Sequence, residues 1–410
     1  MTTTTTSASA PATGRATRPV IPAARYGERL ANARAATAAR AAVALLIGVG
    51  ADLRYLTGYN AMALERLTML VVPGEGAPFL VAPRLEAMKA TGCPAGEAGL
   101  VEVIAWDETD DAHALVAREL AARTGPGAPS PTRAGRDMAP ALVSSGLWAM
   151  HVLALHRALP GREFGLATEV LRDLRMVKDP DEVTLLRLAA EAADRVMVGI
   201  ANGPLIGRTE AEVSREIRER LIAEGHDDAG FAIVASGPNG ASPHHEAGER
   251  RLQAGEPVVF DIGGTLGGYA SDTTRTIWIE GPGHDRPPTA EYRAVHDLVL
   301  AANEAAFEAV RPGVSCESID ATARQVIAAG GHGPQFLHRV GHGIGLEGHE
   351  EPYLVGGNTE PLRAGVTFSI EPGIYLEGRF GVRIEEIVVC TADGPDALNR
   401  VPSGVWAVPG

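Results

Sequence analysis

A chain of 410 residues with 45% hydrophobic content can bury a substantial core, and its length points to two domains. The formal net charge of -14 leaves no basic surplus to displace counterions from a phosphate backbone, which argues against nucleic acid as a ligand. The three cysteines, Cys93, Cys316 and Cys390, stand far apart without Cys-x-x-Cys spacing, so neither a disulfide framework nor a thiolate metal site is indicated and a reducing cytoplasm fits.

The first 22 residues, rich in Thr, Ser and Ala, have neither a basic start nor an apolar core and read as a disordered tail. From Tyr26 to Ala42 the sequence is Ala- and Arg-rich with helical character. Short apolar runs follow at 43–47, 67–72, 79–82 and 101–106, the pattern of a small α/β unit. The longest apolar run, 41–51, is about half of what a bilayer crossing needs, so no membrane partner is expected. Residues 124–136 have the Gly/Pro/Ser composition of a loop, read as lying inside this first unit with a domain boundary as the alternative.

A stronger joint lies at Asp179-Pro180-Asp181-Glu182, which offers an N-cap, a proline at the first helical position and an acid at the third. A helix is predicted from there to about Met197, and a second opens at Thr209-x-x-Glu212 and stops at Gly225. Strand candidates at 258–262 and 273–279 follow. The order then recurs: helices over about 289–310 and 317–329, then strands at 366–370 and 382–389. Two helices and a strand pair, seen twice, suggest an internal duplication of architecture.

Chemistry-bearing residues sit at matching places in the two halves. Glycines 263, 264, 267 and 268 mark a hairpin turn after Asp261. If that turn centres between Leu266 and Gly267, Asp261 and Asp272 stand directly opposite on one face, Cβ atoms roughly 5 Å apart. Two such carboxylates repel unless a cation lies between them. Taken alone, Asp261 reads equally well as a strand-end cap and Asp272 as an exposed strand residue. Glu371 and Glu385 shift that balance, because they are equidistant from Gly378 and form a second hairpin-borne pair. Glu386 faces the other way and is expected to be solvated or structural.

The segment His338-Arg-Val-Gly-His342-Gly-Ile-Gly-Leu-Glu-Gly-His349-Glu350 supplies an imidazole, with glycines beside His342 that would let a ligand come close to the backbone. His349-Glu350 does not complete a His-Glu-x-x-His zinc signature, since position 353 is Tyr. Four carboxylates and one imidazole make a hard site suited to manganese, iron, cobalt or zinc. Two such ions about 3.5 to 4 Å apart can turn water into a nucleophile at neutral pH, so the expected reaction is hydrolysis.

Phe260-Asp-Ile-Gly through Ser271-Asp-Thr-Thr-Arg-Thr, the 338–350 segment, Ser369-Ile-Glu-Pro-Gly-Ile-Tyr and Gly381-Val-Arg-Ile-Glu-Glu together resemble the motifs of the pita-bread metallopeptidase family. Within it, the likeness is to the Xaa-Pro dipeptidases (prolidases) and aminopeptidase P. Arg54-Tyr-Leu-Thr-Gly-Tyr looks like the creatinase-type N-terminal domain. The resemblance implies an α+β fold, with a creatinase-like α/β domain over 23–162 and a pita-bread catalytic domain over 163–410.

It further implies two divalent metal ions, manganese first, with cobalt, zinc or iron as alternatives. Their ligands would be Asp261, Asp272, His342, Glu371 and Glu385, with Asp272 and Glu385 each touching both ions. Glu371 matches the family's proton-transfer residue, His349 the histidine near the scissile carbonyl, and His244 the one that steadies the substrate; His245 is the open half of that pair. His338 and Arg383 correspond to residues that line the proline side or support the metals. The implied protein is a cytoplasmic homodimer acting on small proline-containing peptides, most simply as an Xaa-Pro dipeptidase. Alternatives are an Xaa-Pro aminopeptidase, an ectoine-type or creatinase-like amidohydrolase of the same fold, and a non-catalytic peptide-binding module.

Overall fold

The structure is a computed structural model and describes residues 18–124 and 139–410. The expected tail therefore lies outside the described residues up to position 17, as does the expected loop from 125 onward. Residues 18–22 depart from the tail expectation, since Arg18 pairs with Asp227 at 2.8 Å and Ile21 packs against the hydrophobic core.

The first unit comprises α1 (Ala23–Ala39), β1 (Ala44–Ile47), α2 (Ala51–Thr57), β2 (Met69–Pro73), β3 (Phe79–Pro83), α3 (Ala87–Thr91), α4 (Pro94–Glu97), β4 (Glu102–Trp106), α5 (Ala112–Thr124), β5 (Ala141–Val143), α6 (Ala149–Ala158), β6 (Phe164–Leu166) and α7 (Thr168–Met176). Among the described residues its strands form one six-stranded sheet in the order β4-β3-β2-β1-β5-β6. Strands β1, β2 and β3 are buried along their whole length, which is why they read as unbroken apolar runs and not as alternating ones.

The expected division at 162/163 falls inside this unit. Strand β6 adds in parallel to β5, and Val170 and Leu171 of α7 join Tyr26, Leu30 and Leu56 in one core. Pairing and apolar burial thus carry the unit through α7 to Leu174, whereas Met176 already packs with Trp278 and Phe368 of the following unit, just before the Asp179-Pro180 joint.

There α8 (Pro180–Ala201) begins with a full capping box: the Asp179 carboxylate accepts from Asp181 N and Glu182 N at 3.0 Å, and Glu182 accepts from Asp179 N at 2.9 Å. Thr209 and Glu212 form the same reciprocal pair at the start of α9 (Glu210–Glu224), which Gly225 closes in the left-handed conformation at φ 109°. Strands β7 (Asp228–Ser236), β8 (Glu256–Leu266) and β9 (Tyr269–Ile279) follow. The second half repeats the order with α10 (Ala290–Ala309), α11 (Cys316–Ala329), β10 (Gly341–Gly343), β11 (Glu350–Leu354), β12 (Thr367–Ile370), β13 (Gly373–Leu376), β14 (Phe380–Arg383), β15 (Glu386–Thr391), β16 (Gly394–Ala397) and β17 (Trp406–Val408).

Two sheets result, β17-β9-β8-β7 and β11-β10-β12-β15-β16, with β13 and β14 as a separate ribbon. Helix α8 buries its apolar face on the first sheet through Val196, Met197 and Ile200, and α10 packs Val299, Ala302 and Ala306 beside Phe368 and Ile370. The two sheets meet where β9 lies against β15 and the β13–β14 ribbon lies against β8 and β9, and the acidic residues stand at that junction.

Candidate metal centre

Strands β8 and β9 pair without interruption from Glu256↔Ile279 to Leu266↔Tyr269, so the turn is Gly267-Gly268, with φ +61° and +88°. Two consecutive positive φ values match the twist of the hairpin and favour glycine at both positions. The turn is centred one residue later than the sequence reading assumed. Asp261 therefore lies opposite Thr274, and Asp272 opposite Gly263. Since residues 272 and 274 project to the same side of a strand, the two aspartates still share a face, as a diagonal pair instead of a direct one.

Glu371 and Glu385 stand where their hairpin breaks. The ladder runs from Thr367↔Val389 to Ile370↔Glu386 and resumes at Gly373↔Arg383, symmetric about Gly378 throughout. At the gap, Glu371 N donates to Val340 O at 2.8 Å and Glu385 N to Thr274 O at 3.1 Å. The carbonyls of Ile370 and Ile384 both accept from Asn303 Nδ2 of α10, at 3.0 and 3.3 Å. Leaving the ladder turns both acids toward the first hairpin without orphaning these backbone groups. Glu386 is engaged by Arg275 at 3.2 Å and by Ser403 at 2.5 Å, which makes it structural.

His342 sits on β10 between β11 and β12. The flanking glycines serve the neighbouring strands and not a ligand. A Cβ at Gly341 would lie 1.9 Å from Ser369 O, and one at Gly343 would lie 2.3 Å from Glu351 O. The ring's Nδ1 is 3.1 Å from Gly343 O, which leaves Nε2 facing Glu371 Oε1 at 3.2 Å and Asp272 Oδ2 at 3.7 Å.

The five residues come together in a cavity of about 700 Å3 that His244, His338, His349 and Arg383 also line. Three overlapping sets have ligand atoms within 4.8 Å of one another: Asp261, Asp272 and Glu385; His342, Glu371 and Glu385; and Asp272, His342 and His349. Burial, then Glu385, Asp261 and Glu371, push the Asp272 carboxyl well above its ordinary range, and burial with Glu371 and Asp261 does the same to Glu385. Burial also raises Asp261, against the opposing Arg383 guanidinium. For Glu371 burial is outweighed by the His342 contact and by His338 and Arg383, and its carboxyl is held low. Asp261 Oδ1 is buried with no hydrogen-bond partner among the described residues. Four crowded carboxyls, an orphaned oxygen and an imidazole nitrogen aimed among them fit hard divalent cations, which would relieve the repulsion and satisfy the oxygen.

Around this cluster, Arg383 donates to Asp261 Oδ2 at 2.5 Å, to Thr274 Oγ1 at 3.1 Å and to the Tyr375 hydroxyl at 2.8 Å. Thr274 in turn donates to Glu385 Oε2 at 2.6 Å, and His338 Nε2 meets Tyr375 at 2.8 Å. Arg383 and His338 are thus tied to the acids and to each other through Tyr375. His349 is exposed to the cavity with its ring 3.8 Å from that of His342, and burial, aided by His342 and Arg339, pushes its imidazole down to about 4. His244 faces the cavity, whereas His245 turns away to Glu210 at 2.8 Å. Glu350 is absorbed by Lys178 at 2.6 Å and Arg175 at 2.5 Å.

Sequence reasoning missed Thr274, Asn303, Tyr375 and Arg339. For Thr274 a signal existed, since it lies two residues beyond Asp272 on the same face. Arg339 lines the cavity, with its guanidinium 4.3 Å from the centre of the Tyr353 ring and 3.4 Å from His349 Nδ1. No periodicity marks it.

Residues 184–392 match the profile described as metallopeptidase family M24, and residues 29–177 match the creatinase/prolidase N-terminal domain. The second match ends one residue beyond α7. A probable dipeptidase PepE of Mycobacterium tuberculosis is 47% identical over 385 residues, covering 94% of this chain and 97% of the relative. An Xaa-Pro dipeptidase of Lactobacillus delbrueckii subsp. lactis is 33% identical over 348 residues, covering 83% and 88%. The crystal structure of dipeptidase PepE from Mycobacterium ulcerans superposes with a TM-score of 0.85 at 46% identity, covering 95% of this chain and all of that one.

Proposed function

Because the chain belongs to metallopeptidase family M24, and is thus a divalent-metal hydrolase of peptides, we propose that it is an Xaa-Pro dipeptidase whose two metal ions are held by Asp261, Asp272, His342, Glu371 and Glu385. The observation that carries this reading is the convergence of those five side chains, from both hairpins and β10, in one cavity. When bound, the metals supply an acidified water and polarise the scissile carbonyl.

The remaining steps fall to the chain's own groups. Glu371, at the cavity wall beside His342 Nε2, takes the proton from the attacking water and passes it to the leaving nitrogen. His349, neutral at physiological pH, lies against the scissile carbonyl, and His244 faces it from the 237–250 loop. Phe231, Ile233, Pro243 and Leu337 give the cavity an apolar side on which a proline ring can rest. A bond to proline lacks an N–H, so a site with no need of that donor accepts it. Arg383 is engaged with Asp261, whereas Arg339 stands at the cavity edge stacked on Tyr353, a cation of the right charge for the free carboxylate of a dipeptide.

Family membership and the relatives named dipeptidase support this reading. A manganese preference and a cytoplasmic homodimer belong to the same proposal, checked by metal analysis and light scattering of the purified protein. The decisive assay is Ala-Pro hydrolysis by the metal-loaded chain before and after chelation, with Ala-Pro-Ala and Ala-Ala alongside. Turnover of Ala-Pro alone supports the dipeptidase, and preference for Ala-Pro-Ala makes the enzyme an aminopeptidase. No proline-dependent turnover with manganese or cobalt sinks the proposal.

A further inference from the structure

Glu210, the first residue of α9, is completely buried and lies outside the metal cluster. Its Oε1 accepts from Ser236 N at 2.8 Å, Ser236 Oγ at 2.6 Å and Asn239 Nδ2 at 3.0 Å. Its Oε2 accepts from His245 Nε2 at 2.8 Å, Asn239 Nδ2 at 3.2 Å and Gly248 N at 3.3 Å. Burial alone would raise this carboxyl, but the donors from Ser236, His245 and Asn239 more than offset it and hold it below the usual range. A buried carboxylate with this many partners organises its donors, and every one of them belongs to the end of β7 or to the loop that follows it.

That loop carries His244. Residues 242–245 form a turn closed by His245 N donating to Ser242 O at 3.3 Å, and Ser242 N is tied back to Asn239 O at 3.0 Å. On the other side Pro243 O accepts from Arg383 Nη1 at 3.5 Å. His244 is therefore clamped between a residue held by Arg383 and one held by Glu210. While His245 is drawn into Glu210, its neighbour's ring is left facing the cavity.

We infer that Glu210, acting through His245, is a positioning residue that fixes the 242–245 turn and so sets where the His244 imidazole stands over the catalytic cavity. The inference rests on the peptidase reading only for what His244 does there; the geometry of the clamp does not depend on it.

The test pairs an activity measurement with a structural one, both on the full metal-loaded chain. His245→Ala removes a partly exposed side chain and should fold. It is expected to lower kcat/KM for Ala-Pro roughly 10- to 100-fold, the penalty of a catalytic group misplaced by about 1 Å, with bound manganese unchanged. His245→Gln, whose amide can donate to Glu210, should recover most of that loss, and Glu210→Gln should resemble His245→Ala. In a His244→Ala background the further effect of His245→Ala should shrink to less than about twofold, since two groups acting through one path are not additive. A full, independent penalty in that background overturns the inference, as does wild-type turnover in both His245→Ala and Glu210→Gln. The second readout, on the diamagnetic zinc-loaded chain, is the 15N-imidazole signal of His244, identified by its loss in His244→Ala. His245→Ala should shift and broaden it, and an unchanged signal overturns the inference even if the protein proves inactive on Ala-Pro. Absence of proline-dependent turnover together with a shifted signal would instead sink the peptidase reading and leave the clamp standing.

Discussion

The two hairpins that face each other across the cavity carry the same number of acids by different means. In β8–β9 the ladder is unbroken, and Asp261 and Asp272 are aimed by the pleat alone, on the same face at diagonal positions. In the second hairpin the ladder stops between Ile370↔Glu386 and Gly373↔Arg383, and Glu371 and Glu385 are aimed by leaving it. A continuous hairpin fixes its acids through register. A broken one needs outside groups, here Asn303, Val340 and Thr274, to satisfy the backbone that the break exposes. Residues away from the cavity should therefore matter more for the second pair than for the first.

The largest effect is expected at the proton-transfer position. Glu371→Gln keeps the shape of the broken hairpin and removes the group that moves a proton, so Ala-Pro turnover should fall by roughly 10²- to 10⁴-fold, with dipeptide binding still measurable by calorimetry. Near-normal turnover would reassign the role to the first hairpin.

On that first hairpin Asp272→Asn tests metal holding. A metal bound only to the folded state stabilises it by about 2.7 kcal/mol at 100 times its Kd. The wild-type melting point should thus rise clearly on adding manganese, and that of the variant much less. With chelator present the order should invert, because the change removes one of four clustered carboxyls that repel one another. Equal metal content in the two proteins would remove Asp272 from the ligand set.

How much of this was legible in the sequence follows the same division. The capping boxes at Asp179 and Thr209 carry local signals and form at the residues the sequence marks. Glu371 and Glu385 were placed by a symmetry about Gly378 that the break does not disturb. The first hairpin was misregistered by one position at its turn because four clustered glycines offer several centres, and only the whole ladder chooses Gly267-Gly268. The aspartates still share a face. Asn303 was illegible, since its function depends on two carbonyls 67 and 81 residues away. Strand β6, just beyond the expected division at 162/163, was illegible for a related reason: it is three residues long and has no pattern of its own until it pairs with β5.

Asn303→Leu sharpens the comparison directly. The substitution is close in volume, removes the amide that the Ile370 and Ile384 carbonyls share, and should cost about 2 kcal/mol of stability in urea unfolding. Because those carbonyls adjoin Glu371 and Glu385, manganese affinity should fall as well. If stability falls while affinity holds, the break is rigid without its helix, and the distinction between the hairpins loses its physical basis.

The smallest effect expected concerns the two turns. Gly267 and Gly378 both adopt positive φ, +61° and +70°, where any Cβ is strained. At Gly378 an added methyl meets nothing within 4 Å, whereas at Gly267 it would come within 2.8 Å of Leu185 Cδ2 on α8. Gly378→Ala should therefore show the conformational penalty alone, about 1 to 2 kcal/mol, and Gly267→Ala that penalty plus the shift of a buried leucine. Neither turn touches the cavity, so manganese content and kcat should stay at wild-type values in Gly378→Ala. If that variant lost metal, strain at the tip would be reaching Glu371 and Glu385 through the short β13–β14 ribbon, and the break would be a hinge fed from the turn instead of a joint pinned by Asn303.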